Sequence, residues 1–292
     1  MSNRLFDDYT LIIQGPISNS EYEILNNIKE IKFKFPNLKV IVSTWDNSLL
    51  LDEISNIVDI LIINPDPGGY NFPYFEGMMN INRQVISTAS ALNKTSTNFV
   101  IKMRTDCNLN IHNLYRYILK NQLNITTKVT TIEYFTRDPL KSNYLMHFSD
   151  IFLIAKTDEL KKMFNLNFLN KTDVFNYTGK GLKSIITMPE QILTINYYNN
   201  ICRRNIIISN CQSFKYKVFK GTVHLLFDRF NIVSHNTLGL RIPARMIIEN
   251  KTDLITERCF INYRDYYKKF KILFIYYFFI LILLKRAKNY IC

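Results

Sequence analysis

The stretch Asn98-Phe-Val-Ile-Lys-Met-Arg-Thr-Asp106 constrains the fold most: an apolar, β-rich run that stops abruptly in Arg104-Thr105-Asp106. This pattern predicts a buried strand delivering charged groups to one edge of a sheet. In open α/β folds ligands bind outside the carboxyl ends of the strands. Three earlier runs end in the same manner. Thr10-Leu-Ile-Ile13 gives way to Gln14-Gly15-Pro16, Leu38-Lys-Val-Ile-Val-Ser43 to Thr44-Trp45-Asp46, and Val58-Asp-Ile-Leu-Ile-Ile63 to Asn64-Pro65-Asp66-Pro67-Gly68-Gly69. Helical patterns separate them, the first carried by Ile24, Ile28, Ile31 and Phe35, the others over 47–57 and 78–92. Alternation of this kind predicts right-handed crossovers and a mostly parallel sheet whose polar strand ends share one edge.

Beyond Asp106 the pattern predicts a helix over 109–122, strands over 126–135 and 149–155, and a helix starting at Thr157. A loop or flap is expected over 166–187, then a helix opening at Met188-Pro189-Glu190-Gln191, where proline sits at a permissive first-turn position. Short strands are expected at Thr222-Val-His-Leu-Leu-Phe227 and Phe230-Asn-Ile-Val-Ser234. Ile272 to Leu284 is thirteen uninterrupted apolar or aromatic residues, with Lys268, Lys269 and Lys271 before it and Lys285, Arg286 and Lys288 after it. That is shorter than the ~17–25 residues that span a bilayer. Two readings stay open: a helix lying in an anionic membrane interface, or a buried terminal helix or dimer contact.

With 292 residues, the chain is long enough for one main domain, taken as 1–250, and a C-terminal segment over 251–292. The net charge of +13 suits nucleic acid, anionic lipid or phosphorylated substrates equally well. No nucleic-acid-binding motif or concentrated basic arm accompanies it, so no nucleic-acid partner is expected. Five cysteines lack a C-x-x-C pair, which argues against a disulfide framework or zinc site and for a reducing compartment. The N-terminal eight residues carry no apolar signal segment, so a cytoplasmic, membrane-peripheral location is expected.

Asp106 is either a turn cap or the carboxylate of a phosphate-plus-cation site, in which Mg²⁺ or Mn²⁺ bridges a diphosphate. Lys102 and Arg104 beside it would neutralise the leaving group, and a metal-free variant relying on Arg104 is equally open. Gln14, Gly15 and Pro16 permit close approach to a nucleotide or simply turn the chain. Asp66 either holds a ribose hydroxyl or caps its turn, with Gly68 allowing close ligand approach. Asn82 and Arg83 open a helix, where amide and guanidinium donors suit an anion or face solvent. A base that deprotonates a sugar hydroxyl must be a carboxylate or His near the reacting carbon, and Asp150 and Glu190 are the candidates. His112, His224 and His235 read as structural.

Taken together, Ile12-Ile-Gln-Gly-Pro-Ile17, Ser43-Thr44-Trp45, Asn64-x-Asp66-Pro67-Gly68, Asn82-Arg83-Gln84-x-x-Ser87-Thr88, Lys102-x-Arg104-Thr105-Asp106, Phe148-Ser149-Asp150 and Pro189-Glu190-Gln191 resemble the WavE lipopolysaccharide synthesis family. The resemblance covers roughly 10–195. It implies a GT-A-like, Rossmann-type α/β fold and transfer of a sugar from a nucleotide-sugar donor to a lipopolysaccharide core, capsule or related glycan acceptor, free or lipid-linked. Arg104-Thr105-Asp106 would occupy the place of the D-x-D motif that binds metal and diphosphate, with arginine where the first acid stands. Two other functions remain on the sequence alone: sugar-phosphate transfer from an activated donor, and nucleic-acid binding.

Overall fold

The computed structural model describes residues 4–18, 22–72, 75–142, 145–170, 175–176, 185–186, 188–203, 216–244 and 253–291. The elements of the first half are β1 (Tyr9–Gln14), α1 (Tyr22–Lys34), β2 (Lys39–Trp45), α2 (Leu51–Ser55), β3 (Ile60–Asn64), β4 (Tyr70–Phe72), β5 (Phe75–Met79), α3 (Ile81–Lys94) and β6 (Phe99–Arg104). There follow β7 (Asn108–Leu109), α4 (Ile111–Lys120), α5 (Gln122–Thr127), β8 (Val129–Ile132), β9 (Phe152–Lys156) and α6 (Thr157–Phe164). The last are β10 (Phe175–Asn176), β11 (Ile185–Ile186), α7 (Pro189–Cys202), α8 (Tyr216–His224), β12 (Phe230–Val233), α9 (His235–Leu238), β13 (Leu240–Arg241) and α10 (Glu257–Ile291).

Seven strands form the main sheet in the order β12-β8-β9-β6-β1-β2-β3. β1 pairs in parallel with both β2 and β6, and β2 with β3, while β9 alone runs against its neighbours β6 and β8. The expected mostly parallel α/β sheet is therefore present. Because the chain winds outward from β1 through β2 to β3 and then returns to place β6 on the other side of β1, the strand order reverses between β1 and β6. The antiparallel course of β9 also puts its start, just after Asp150, at the edge where β6 ends: Met103 lies opposite Phe152.

Strand alternation sorts the core into two layers. Leu11 and Ile13 of β1, Val40 and Val42 of β2, and Ile101 and Met103 of β6 pack with Ile24, Ile28 and Ile31 of α1 and Leu114 and Ile118 of α4. Ile12, Ile41 and Val100 face the other way, toward Val85 and Leu92 of α3, Leu160 and Phe164 of α6 and Ile192 of α7. Each fully buried Leu or Ile contributes roughly 1.5–3 kcal/mol. Lys102 shares the second face with Val100, where an apolar residue is the rule.

Several local expectations need correction. The segment 222–227 is not a strand: α8 runs through His224 and continues as a π-helical turn, Leu225–Arg229, whose Leu225, Leu226 and Phe227 are all buried. The helix expected from 78 begins at Ile81, because Tyr70–Phe72 and Phe75–Met79 pair as a hairpin. The strand expected over 126–135 is confined to β8, since α5 takes the preceding residues. Most of the loop expected over 166–187 lies outside the described residues.

α10 is one long helix, and among the described residues no helix is long and apolar enough to cross a membrane. One side of it docks on the domain. Phe260, Tyr267 and Ile275 are buried, and the Tyr267 ring stacks on Phe227 at 4.7 Å. At helical spacing, Tyr263 Oη donates to Asp138 Oδ2 (3.3 Å), while Tyr267 Oη and Lys271 Nζ both donate to Asp228 Oδ2 (3.1 Å each). His224, two helices away in sequence, shares a 2.9 Å hydrogen bond with that same oxygen. His235 likewise has a carboxylate partner, Glu133, at 3.4 Å. Each histidine therefore has a carboxylate partner where none was expected, His224 four residues on in its own helical turn and His235 across the fold.

Candidate active site

At the switch between β1 and β6 the strand ends open into a 350 Å³ cavity lined by Gln14, Gly15, Pro16, Trp45, Asn47, Asp66, Asn80, Arg83, Gln84, Arg104, Thr105 and Asp106. This is the place where open α/β sheets bind ligands, and the volume is that of a small-ligand pocket. The floor is fixed by backbone. Thr105 N–H donates to Gln14 O (3.0 Å), Thr105 Oγ1 to Pro16 O (2.6 Å), and Gly15 N–H to Ser43 O (3.2 Å). Gly15 has φ +130°, and a Cβ there would come within 2.8 Å of Thr105 Oγ1, so the β1 and β6 loops approach this closely only because residue 15 is glycine. Gln14 is held in turn by Ser87, whose hydroxyl donates to the Gln14 side-chain oxygen (2.8 Å).

Two guanidinium–carboxylate forks face this cavity. Arg104 Nε and Nη2 donate to Asp106 Oδ1 (3.0 Å) and Oδ2 (2.9 Å). Arg83 Nε donates to Asp66 Oδ1 (2.6 Å), its Nη2 pairs with Oδ2, and its Nη1 donates to Asn80 (2.9 Å). Gly68 N–H also donates to Asp66 (2.9 Å), and Gly68 sits at φ +75°, so the loop wraps its own carboxylate. The Arg83 hydrogen bonds hold the Asp66 carboxyl below the usual range. Both oxygens of Asp106 are taken by arginine, and among the described residues no three His, Cys, Asp or Glu side chains converge as metal ligands. This donor set does not fit a divalent cation held by the protein itself.

Lys102 needs correction as a diphosphate contact. Its ammonium is fully buried behind the cavity, donates to Asp150 O and Oδ2 (the latter 3.2 Å), and lies 5.7 Å from the Phe164 ring. Burial pushes its pKa down, against the pull of Asp150. Asn82 also leaves the cavity wall: it donates to Leu169 O (2.7 Å) and accepts from Leu169 N–H (3.0 Å), a two-way clasp that ties the chain after α6 to the start of α3.

Asp150 and Glu190, far apart in sequence, are brought into one buried ionic cluster with Lys102, His147 and Arg137, next to Arg104. Glu190 Oε2 lies 3.8 Å from His147 Nε2. Burial, and then the charge of Asp150, push the Glu190 carboxyl up to about 7. Burial, and then Arg137, push the His147 imidazole down to about 4. His147 Nδ1 shares a 2.7 Å hydrogen bond with Phe135 O. Gln84 lines the cavity beside Arg83, in the helix-opening triplet Asn82-Arg83-Gln84 whose donors suit an anion, and Trp45 lines it without having been singled out as a site residue; its place at the end of β2, on the shared edge, was the available signal. The Trp45 indole nitrogen and the Gln84 side-chain oxygen are both buried and have no hydrogen-bond partner among the described residues.

Three solved structures illustrate what the chain is similar to. The mannosyltransferase PcManGT from Pyrobaculum calidifontis, in complex with GDP-Man and Mn²⁺, is 13% identical, with 53% of this chain and 46% of that one covered and a TM-score of 0.36. S. aureus TarS 1-349 is 18% identical, with 66% and 56% covered and a TM-score of 0.38. A 4-diphosphocytidyl-2C-methyl-D-erythritolsynthase from Anaerococcus prevotii DSM 20548 is 9% identical, with 92% and 100% covered and a TM-score of 0.38. The chain thus spans about half the length of the first two, 46% and 56%. No curated protein matches it. The WavE lipopolysaccharide synthesis profile matches residues 9–289, almost the whole chain, and the protein belongs to that family.

Proposed function

We propose that the protein is a glycosyltransferase that moves a sugar from a nucleotide donor to a lipopolysaccharide core, capsule or related surface glycan. One observation carries this reading: two arginine forks, Arg83–Asp66 and Arg104–Asp106, face a single cavity at the β1/β6 switch. A diphosphate entering there exchanges partners with the two carboxylates. Its oxygens take the guanidinium donors in bidentate geometry, and Asp66 is released to accept from a ribose hydroxyl. Gln14, Gly15 and Pro16 supply the close backbone approach for the nucleoside. The arginines thereby carry charge that would otherwise fall to a metal. If a Mg²⁺ or Mn²⁺ accompanied the donor, Asp106, once released from Arg104, would be the carboxylate to hold it and the ion would add its charge at the diphosphate. Asp150 or Glu190 then takes the proton of the acceptor hydroxyl.

The family description favours a lipopolysaccharide acceptor, which suits a protein held at an anionic membrane surface on the cytoplasmic side. On the side of α10 turned from the domain, Tyr266, Tyr277 and Ile280 are 63%, 61% and 53% exposed, and Lys268 and Lys269 are exposed beside them. Aromatic rings with lysines are the composition of an interfacial helix face.

The full chain is to be incubated with nucleotide sugars and a lipopolysaccharide-core acceptor, with and without Mn²⁺. Release of nucleoside diphosphate with a glycosylated acceptor is expected, and it should be lost in Arg104→Ala. Release of a nucleoside monophosphate would instead identify sugar-phosphate transfer, and no turnover of any nucleotide sugar would overturn the reading.

A further inference from the structure

Trp45 is the chain's one tryptophan, and only 2% of it is exposed. Although buried, it belongs to neither core layer; it stands at the carboxyl end of β2 and walls the cavity. Its indole N–H is enclosed with no acceptor among the described residues, and a buried donor left unmet costs free energy that folding ordinarily avoids. The backbone that carries it is fixed. Trp45 N–H donates to Ser48 Oγ (3.4 Å), Asp46 N–H to Asn64 O (3.2 Å), and Leu49 N–H to Ile17 O (2.9 Å), which ties the turn after β2 to the loop after β1. Gln84, on the first turn of α3, brings a buried side-chain oxygen to the same cavity, likewise without a donor among the described residues. The arginines and carboxylates of the two forks are matched to each other. Beside them the cavity therefore holds one neutral donor and one neutral acceptor whose hydrogen bonds are unmade.

A diphosphate presents acceptors only and cannot satisfy the Gln84 oxygen. A nucleobase edge presents both kinds of group, a ring carbonyl or ring nitrogen that accepts and an N–H that donates. Strand order places it. The edge runs β9-β6-β1-β2, so Asp150, just before β9, lies on one side of Arg104 and Asp106 at the end of β6, and Trp45 lies on the other. In a nucleotide sugar the diphosphate separates the reacting sugar from the nucleoside. With the diphosphate at Arg104 and the sugar on the side of Asp150, the nucleoside extends toward β2, two strand spacings or ~10 Å away. We infer that Trp45 and Gln84 read the donor's nucleobase, the indole N–H donating to a ring acceptor and the Gln84 oxygen accepting from a base N–H. The inference rests on the glycosyltransferase reading, to which it adds the residues that select the base.

Because the chain has a single tryptophan, its indole N–H gives one signal in a proton–nitrogen NMR spectrum of the native full chain and needs no variant to assign it. The probes are UDP, GDP, CDP and ADP, with inorganic pyrophosphate as the base-free control. At least one nucleoside diphosphate should move the indole signal downfield, as a newly made hydrogen bond does, and pyrophosphate should leave it in place. Removing either group should then weaken that nucleotide about fivefold, the worth of one neutral hydrogen bond, with pyrophosphate affinity unchanged: Trp45→Phe keeps a ring without the N–H, and Gln84→Met, at a half-buried position, keeps the side-chain length without the oxygen. A signal moved equally by pyrophosphate would make Trp45 a phosphate contact, and a signal moved only by a nucleotide sugar would make it a sugar contact; either overturns the inference. So does a nucleoside diphosphate that binds, by thermal shift, without moving the indole, or one whose affinity survives both substitutions. If no nucleotide binds at all, the glycosyltransferase reading falls and takes this one with it, whereas a nucleotide that binds with the indole unmoved removes the base-reading pair alone.

Discussion

Glu190 and His147 lie 3.8 Å apart and titrate abnormally in opposite directions, because burial penalises whichever form is charged. The folded-state pKa of Glu190, about 7, lies above the ordinary 4.5, so its contribution to stability is complete below about 4.5 and is lost as pH rises through 7. For His147, about 4 against 6.5, the contribution is present above 6.5 and is lost as pH falls toward 4. Between these limits the two slopes oppose each other. Glu190→Gln removes the first and leaves the second. Thermal denaturation should therefore show the variant more stable than the native chain by a few degrees at pH 8 and nearly equal to it at pH 5. Equal stability at both values would mean that Glu190 ionises without penalty. The sequence exposed each of these residues as polar punctuation, but not their meeting, since Asp150 and Glu190 are joined only through the antiparallel course of β9. Lys102 was misleading for a related reason. Its alternation with Arg104 along β6 suggested a shared role, whereas the sheet edge lies between them: Arg104 reaches the cavity and Lys102 stays in the core.

Elements that punctuate cleanly were legible, and those whose packing overrides the pattern were not. β1 and β3 run into Gly/Pro punctuation and β2 and β6 into polar or charged residues, so their common edge follows from the chain, whereas the strand order does not. Thr222 to Phe227 carries β-branched and aromatic residues and reads as a strand, yet in the fold it continues a helix because both Val223 and Phe227 meet the core from one side. That helical turn has a second task, because its Asp228 is the acceptor for His224, Tyr267 and Lys271 and so fastens α10 to the domain. Hydrogen bonds to a charged acceptor are worth ~1.5–3 kcal/mol each. In Asp228→Asn, hydrogen exchange of the α10 amides around Tyr267 should accelerate about tenfold or more, while the β1 and β6 amides keep native protection. Unchanged α10 exchange would mean that the stacked Phe227 and Tyr267 rings hold the helix without the carboxylate.

The whole molecule presents a sheet edge carrying the cavity and a long terminal helix with one face docked and an aromatic, lysine-bearing face exposed. The net charge of +13 was visible from composition, but its division was not, because the arginines of the cavity are matched by Asp66 and Asp106 while the α10 lysines at 268 and 269 remain exposed. Vesicle flotation should show the full chain bound to phosphatidylglycerol-containing vesicles at low salt, released at high salt, and weakened by replacing Tyr266 and Tyr277 with serine. Equal binding to neutral vesicles would contradict the electrostatic part of that account. The central claim, that the β1/β6 cavity holds a nucleoside diphosphate between Arg83 and Arg104, is tested most directly by thermal shift against UDP, GDP, CMP and ADP, each with and without Mn²⁺. One nucleoside diphosphate at about 100 times its Kd should stabilise the native chain by ~2.7 kcal/mol, a rise of roughly 5 °C or more for a domain of this size. That rise should vanish in the double variant Arg83→Ala, Arg104→Ala. No shift with any of the four, or a shift that survives both substitutions, would contradict it.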